Sequence, residues 1–266
     1  METLQFLLFP FLACVLLVMI HAYFGVHILE RGIIFVDLAL AQFIGVGIAL
    51  AMLYEMDDSY LLPVAFAILG SVILAVARKL SHHVNVEAFI GVLYIFSLAA
   101  SILILDKSPH GMEEFKNIMN GNILWVTPQE VGYTALIYGG IGLLHFMLRK
   151  QFLALSYEGK ESFWLEILFF ASFAMVLVKS VKLAGILQVF SFLVIPALVG
   201  RLFFKAPGGV MITGWCMGIL ISLTGMAVSF KLDIPTAPVI VAGMAASFFG
   251  LLLLKLVMKF GRQGQA

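Results

Sequence analysis

A succession of long apolar runs constrains the fold of this chain more than any other feature. Each run holds 16 to 25 residues, and short polar connections separate the runs. A helix of about 20 residues crosses a hydrocarbon core of about 30 Å, and only helices and closed barrels satisfy their own backbone in lipid. The pattern therefore predicts an all-α, polytopic membrane helix bundle. Its predicted segments are residues 4–28, 33–54, 61–77, 87–105, 131–148, 163–178, 183–200, 210–230 and 236–258.

The number of segments depends on one short connection. Residues 163–178 and 183–200 are so close in the chain that they can also form one broken helix, so the sequence predicts eight or nine transmembrane helices. No linker or internal repeat divides the chain, and residues 1–266 are predicted to form a single transmembrane domain. Gly139, Gly140 and Gly142 crowd one segment, which is typical of closely packed helices.

Composition excludes a soluble protein. Of the 266 residues, 62% are hydrophobic and 12% are charged, about half the charge of an ordinary soluble domain. The mean hydropathy is +1.09. A formal net charge of +1 without a basic cluster argues against a nucleic-acid partner, and membrane lipid is the expected surrounding.

The distribution of lysine and arginine predicts the orientation in the membrane. With the N-terminus outside and nine crossings, 11 of the 16 basic residues lie on the inner side. The positive-inside rule therefore favours an external N-terminus and an internal C-terminus in a cell (inner) membrane. The longest outer connection contains Met112–Ile118, which is short and polar enough to be a surface helix.

Motifs of enzymes are absent from the sequence. It holds no H-E-x-x-H, no G-x-S-x-G and no P-loop, so hydrolysis of ATP by this chain itself is not expected. Cys14 and Cys216 lie in separate apolar runs without metal-ligand spacing. The chain is therefore predicted not to be an enzyme and to bind no cofactor of its own.

Polar side chains inside the apolar runs are the candidates for function. Asp37 lies in the run 33–54, where an acidic residue costs about 2.5–3.5 kcal/mol and usually faces a bundle interior or a watery path. Alternatively, Asp37 reaches the interface and pairs with Arg31. Gln42, His21 and Glu87 are further candidates for a substrate path, although a glutamine in a span more often bonds neighbouring helices.

Several stretches together resemble the permease subunits of the zinc/manganese ABC importer family. The most specific is Lys182–Arg201 (KLAGILQVFSFLVIPALVGR), which is similar to that family's basic residue, G-A/I-L, aliphatic run, I-P-A and arginine. Gly121–Val131 (GNILWVTPQEV), Leu232–Val239 (LDIPTAPV) and Gly25–Val46 match further family segments. Glu87 begins another. These stretches occur in the family's order over about residues 25–240.

The resemblance implies a transmembrane permease that imports divalent metal ions of the zinc, manganese and iron class. Two copies would form the path, a separate ABC ATPase subunit would bind and hydrolyse ATP, and an extracytoplasmic metal-binding protein would deliver the ion. By the same resemblance, Pro196, Arg201, Phe204 and Lys205 belong to the segment that couples to the ATPase. The absence of a P-loop agrees with this division of labour.

The second span departs from the family pattern. The family typically carries an aspartate and a histidine four residues apart there. With Gly45 aligned, these positions are Val36 and Leu40. Asp37 follows one residue later, about 100° round the helix. Asp37 is thus the candidate metal ligand, and the lost imidazole leaves Mn²⁺, Fe²⁺ or a chelated solute open beside Zn²⁺.

An alternative from another class is an ATP-independent secondary transporter or channel for a small solute. Its usual sequence sign, interrupted hydrophobic segments at matching places in two halves, is not visible. Transport without ATP would distinguish it from an ABC importer.

Overall fold

The computed structural model describes residues 2–56, 60–108, 110–121 and 123–263. All regular structure in these residues is helical, as the sequence predicts. The helices are α1 (Glu2–Glu30), α2 (Val36–Leu53), α3 (Leu61–Lys79), α4 (Val86–Leu105), α5 (Gly111–Asn120), α6 (Pro128–Met147), α7 (Arg149–Tyr157), α8 (Phe163–Phe203), α9 (Pro207–Leu232) and α10 (Thr236–Gln263), with a short 3₁₀ turn at Ile123–Trp125.

Seven of the described helices are long and apolar enough to cross a membrane: α1, α2, α3, α4, α8, α9 and α10. Helices α6 and α7 meet at a bend of 74° and together give an eighth candidate. Helix α6 begins with a capping box, in which Thr127 and Glu130 satisfy each other's backbone N–H groups. The predicted surface helix at Met112–Ile118 is confirmed as part of α5.

Helix α8 reverses direction in its middle. Glu166, near its start, pairs with Arg31, and Arg201, near its end, pairs with Glu30. In a straight helix, Glu166 and Arg201 would be about 53 Å apart at about 1.5 Å per residue. The chain turns back at Gly185, whose φ of 73° and ψ of 164° are not helical. Helix α8 is thus a hairpin with arms 163–184 and 186–203. The described residues therefore hold eight apolar spans, and the bent pair α6–α7 is a candidate for a ninth.

A contact between two glycines secures the tip of the α8 hairpin. A Cβ added at Gly121 would lie 2.2 Å from the carbonyl carbon of Ala184, and one added at Gly185 would lie 2.3 Å from the backbone of Asn120. Both glycines have positive φ. The backbones therefore touch where no side chain fits, and the segment after α5 is fixed against the hairpin.

The best-buried part of the bundle is formed by α1, α2 and α8. Aromatic rings fill the contact between α1 and the first arm of α8, where the Phe24 ring lies 4.8 Å from Phe173 and 5.4 Å from Phe169. The second arm packs on α9, and a Cβ at Gly214 would lie 2.8 Å from the carbonyl oxygen of Pro196. The helix continues through Pro196 and ends only at Phe203.

Glycines of α6 do not pack as the sequence predicts. A Cβ added at Gly139, Gly140 or Gly142 would meet nothing within 4 Å in the described chain. The prediction of a close helix contact at these residues is wrong within a single copy. A glycine-rich pattern indicates a smooth helix face, and it does not say what covers that face.

Candidate substrate path and inner-face ion pairs

Asp37 lies in the first turn of α2 and is buried, with 1% of its surface exposed. Neither of its carboxylate oxygens has a hydrogen-bond partner. Helix α2 as a whole packs against α3, α4 and α8. The alternative in which Asp37 pairs with Arg31 is not observed, because Arg31 pairs with Glu166. Asp37 is thus a buried acid in a span without a structural partner, which is typical of a functional group.

Gln42 holds α2 to the outer helix α5. Its Nε2 donates to Sδ of Met119 at 3.3 Å. A Cβ added at Gly45 would lie 3.9 Å from Oε1 of Gln42 and 3.8 Å from Oγ of Ser101. Ser101 is buried in α4, and its hydroxyl has no partner. These polar groups therefore surround one small space between α2, α4 and α5.

His21 and Glu87 lie on other helices. His21 is buried in α1, where its Nδ1 donates to the carbonyl oxygen of Leu17 at 2.7 Å and its Nε2 has no partner. Glu87 lies in the first turn of α4 with one buried, unpartnered oxygen. In the described part of the chain, no three His, Cys, Asp or Glu side chains are grouped closely enough to hold a metal ion. The path role of these residues stays a prediction.

An ion-pair network occupies the inner side, defined here as the side of the bundle on which Arg31 and Arg201 lie. Arg31 donates to Glu166, and its guanidinium lies 4.8 Å from the ring centre of Phe169 and 5.2 Å from that of Phe170. Nε of Arg78, in the last turn of α3, is 3.7 Å from Glu166. The network joins α1, α3 and α8. Sequence reasoning missed this network, because the sequence gives no sign of which span ends are neighbours in the bundle.

The predicted coupling residues are not all at the surface. Arg201 lies in the last turn of α8 and donates to Glu30 of α1. Phe204 and Lys205 follow in the exposed turn before α9. Pro196 lies deeper and is buried against α9. The side chain of Lys255, from α10, donates to the carbonyl oxygen of Leu202. Helices α1 and α10 therefore both fix the end of the second arm.

A second polar network at the inner half was also missed. Nδ1 of His145 lies 3.0 Å from the hydroxyl of Tyr23, and its Nε2 lies 2.7 Å from Oγ of Ser172. Nδ1 of His27 lies 2.9 Å from Oγ of Ser156. These contacts connect α1 with α6, α7 and α8 around the 74° bend. The only sequence signal was a histidine in each of two apolar runs.

The model of the ABC 3 transport family matches residues 3–255. The chain belongs to the ABC 3 transport family. It is therefore a multi-pass membrane permease of the metal ABC transporter class, and the resemblance drawn from its sequence is confirmed.

Similar proteins agree with this assignment. The chain is 26% identical over 245 residues to a probable metal transport system membrane protein of Chlamydia trachomatis, which covers 87% of this chain and 83% of the relative. It is 24% identical over 230 residues to a probable iron transport system membrane protein of Haemophilus influenzae, and the match covers 84% of this chain and 80% of the relative. The fold is similar to a chain of PsaBC from Streptococcus pneumoniae, solved in complex with Fab, with a TM-score of 0.78 and 20% identity. This match covers 93% of this chain and 92% of the solved chain.

The positions that the resemblance assigns to the family's aspartate and histidine are apolar and buried in this member. Val36 and Leu40 are both 0% exposed. Cδ1 of Leu40 lies 2.7 Å from the position that a Cβ of Gly70 would take, so Leu40 packs closely on α3. Asp37 thus provides the carboxylate of this span from a different face of the helix.

Proposed function

We propose that this permease imports divalent metal ions of the manganese, iron and zinc class as a dimer of two identical copies. A separate ABC ATPase on the inner face drives transport, and an extracytoplasmic binding protein delivers the ion to the outer face. The single observation that carries the substrate assignment is Asp37, a buried carboxylate in a span with no partner of its own.

The chemistry of the second span supports oxygen-preferring ions over Zn²⁺. Leu40 stands at the position of an imidazole, so this span offers a carboxylate and no nitrogen ligand. Carboxylate and carbonyl oxygens suit Mn²⁺, whereas imidazole suits Zn²⁺ and Fe²⁺. Gln42 and Ser101 contribute neutral oxygens further toward the outer side. An ion passing the bundle would meet these groups before Asp37.

The inner turn between α8 and α9 supports the coupling role. Phe203 and Phe204 are about half exposed there, beside Arg201 and Lys205, in a turn of only three residues between two helices. An exposed aromatic pair flanked by cations can anchor a protein partner, because aromatic and arginine side chains dominate interface energies. The second arm of α8 would transmit movement of this turn to the hairpin tip at Gly185.

Element-resolved metal accumulation tests the proposal. Cells stripped of their own importers express the chain with its cognate ATPase and binding protein and receive Mn, Fe, Zn and Co together. We expect ATP-dependent enrichment of one metal, with Mn above Zn. Asp37→Asn keeps the shape and removes the charge, so uptake should fall at least tenfold with normal assembly. Asp106→Asn, which changes an exposed carboxylate at the outer end of α4, is the matched control.

Three outcomes would contradict the proposal. Undiminished uptake in Asp37→Asn would exclude the path role of this carboxylate. Accumulation that persists with an ATPase partner unable to hydrolyse ATP would instead favour the secondary transporter or channel. Assembly of all subunits without enrichment of any metal would mean that the chain carries another solute.

A further inference from the structure

A long apolar groove of about 470 Å³ runs along the outside of the bundle between α1, α6 and α9. Two of the open glycines of α6, Gly139 and Gly142, form part of its wall, and Gly140 does not. The rest of the wall includes Tyr23, Tyr138, His145, Phe146, Arg149 and Trp215. No side chain of the described chain fills the space beside these glycines.

The polar groups in the wall are already bonded to the protein. Tyr23 and His145 bond each other, and the hydroxyl of Tyr138 lies 2.6 Å from Oγ of Ser180. Nε1 of Trp215 donates to the carbonyl oxygen of Met19 at 3.0 Å. The body of the groove therefore offers no free donor or acceptor to a ligand. Its occupant has to be apolar along this length.

Arg149 is the exception, and it lies at the inner end of the groove. It is the first residue of α7, just past the bend, and it is exposed. Its guanidinium lies 4.6 Å from the ring centre of Phe146, and no carboxylate of the described residues is within ion-pair distance of it. An unneutralised cation thus stands where the apolar groove meets the inner interface.

The length of the groove fits one leaflet of a bilayer. From Ala135 to Phe146 the helix rises about 16 Å, close to the roughly 15 Å that one leaflet contributes to the hydrocarbon core. An occupant therefore has an apolar part as long as an acyl chain and an anionic group at the inner headgroup level. A second copy of the chain could pack against the smooth glycine wall. The glycine wall does not explain, however, what would neutralise Arg149 in such a contact.

We infer that the groove between α1, α6 and α9 binds an anionic phospholipid of the inner leaflet, with an acyl chain along Gly139 and Gly142 and the phosphate at Arg149. The site lies beside the bend between α6 and α7 and next to the His145 network. An ordered lipid there would hold the orientation of α7. This inference is independent of which solute the permease carries.

Tryptophan fluorescence in vesicles tests the site, because Trp215 lies in its wall. The two other tryptophans are changed to phenylalanine, Trp125→Phe and Trp164→Phe, so that only Trp215 reports. Vesicles contain phosphatidylcholine with a brominated phospholipid, either phosphatidylglycerol or phosphatidylcholine, at equal mole fractions. We expect the brominated anionic lipid to compete for the site about fivefold better, the factor that corresponds to about 1 kcal/mol for one basic residue at a charged surface.

Two matched pairs of variants separate the lipid site from general effects. Arg149→Gln should abolish the anionic preference, and Lys150→Gln, the neighbouring exposed cation outside the groove, should retain it. Gly142→Leu should reduce quenching by both lipids, whereas Gly140→Leu should leave it unchanged. Gly140→Leu also shows whether α6 tolerates a leucine at all.

Three results would overturn the inference. The first is equal quenching of Trp215 by the two brominated lipids in the parental protein. The second is the same loss of preference in Lys150→Gln as in Arg149→Gln. The third is a disulfide between two copies carrying Gly139→Cys together with protection of Trp215 from both lipids, which would assign the groove to a second copy.

Discussion

Arg31 and Glu166 form a buried ion pair that fixes the start of α8 to the end of α1. The preceding residue, Glu30, pairs with Arg201 at the other end of α8. Two consecutive residues of opposite charge therefore hold both ends of one hairpin at the inner face. Because the predicted coupling turn follows Arg201 directly, this pair of contacts connects the inner surface with the base of the hairpin.

Removal of Glu166 should be costly. Glu166→Gln leaves the Arg31 guanidinium buried beside Phe169 and Phe170 without its carboxylate, and breaking a buried pair from one side typically costs about 3–5 kcal/mol. The thermal midpoint of the purified protein in detergent should fall clearly. Glu158→Gln removes an exposed carboxylate paired with Lys160 and should cost less than about 1 kcal/mol. Equal midpoints of the two variants would contradict the importance of the buried pair.

The hairpin tip should not tolerate a side chain. At φ 73° and ψ 164°, Gly185 occupies a backbone region that is open almost only to glycine. In Gly185→Ala, the new Cβ would also lie 2.3 Å from the backbone of Asn120. We expect a strongly reduced yield of monodisperse protein and a lower thermal midpoint. Gly140→Ala is the control, because a Cβ there meets open space. A similar loss of yield and thermal midpoint in both variants would mean that the effect is not specific to the turn at Gly185.

The membrane-spanning helices were largely predictable from the sequence, because hydropathy and length decide them without knowledge of neighbours. The reversal at Gly185 was only half visible. The short connection left two alternatives, and the non-helical angles of Gly185, which lies against Gly121, decide between them. For Asp37 the sequence left two alternatives, burial in the bundle and pairing with Arg31 at the interface. The structure decides between them through Glu166, a partner of Arg31 that lies 135 residues away in the chain and that no local pattern indicates.

The candidate site was less predictable than the fold. The wrong expectation for Gly139, Gly140 and Gly142 arose because a glycine pattern describes a helix surface and not its neighbour. The network around His145 depends on side chains from three helices, so that no local spacing could reveal it. The order of the motifs along the chain was enough to identify the family. The ligands that replace the family's histidine were not predictable, because they depend on which helices are neighbours.

Loss of one hydroxyl should weaken the network at the bend. Ser172→Ala removes the partner of Nε2 of His145 in a buried position, and an unsatisfied buried polar group costs about 1–3 kcal/mol. The thermal midpoint should fall accordingly. Ser247→Ala is the matched control, because that hydroxyl bonds only the carbonyl oxygen of Gly243 in its own helix. A midpoint of Ser172→Ala equal to that of the control would exclude a stabilising role of the contact.

A charge exchange should separate the structural role of Arg201 from its predicted role in coupling. Arg201→Glu places two carboxylates together at Glu30, so it should weaken both the hairpin base and docking of the ATPase. The double variant Glu30→Arg with Arg201→Glu restores an ion pair but leaves a negative charge beside Phe204 and Lys205. If the cation itself contacts the ATPase, the double variant should regain the parental thermal midpoint without regaining co-purification or ATP turnover.

The same experiment can contradict the coupling role of Arg201. Full recovery of co-purification and ATP turnover in the double variant would mean that Arg201 acts only through Glu30. Lys205→Gln then becomes the decisive variant, because Lys205 lies in the exposed turn and has no ion-pair partner among the described residues. A reduced ATPase affinity at an unchanged thermal midpoint would assign the contact to the turn. Parental values in every readout would move the docking surface away from the end of α8, because neither cation of this segment would then contribute to it.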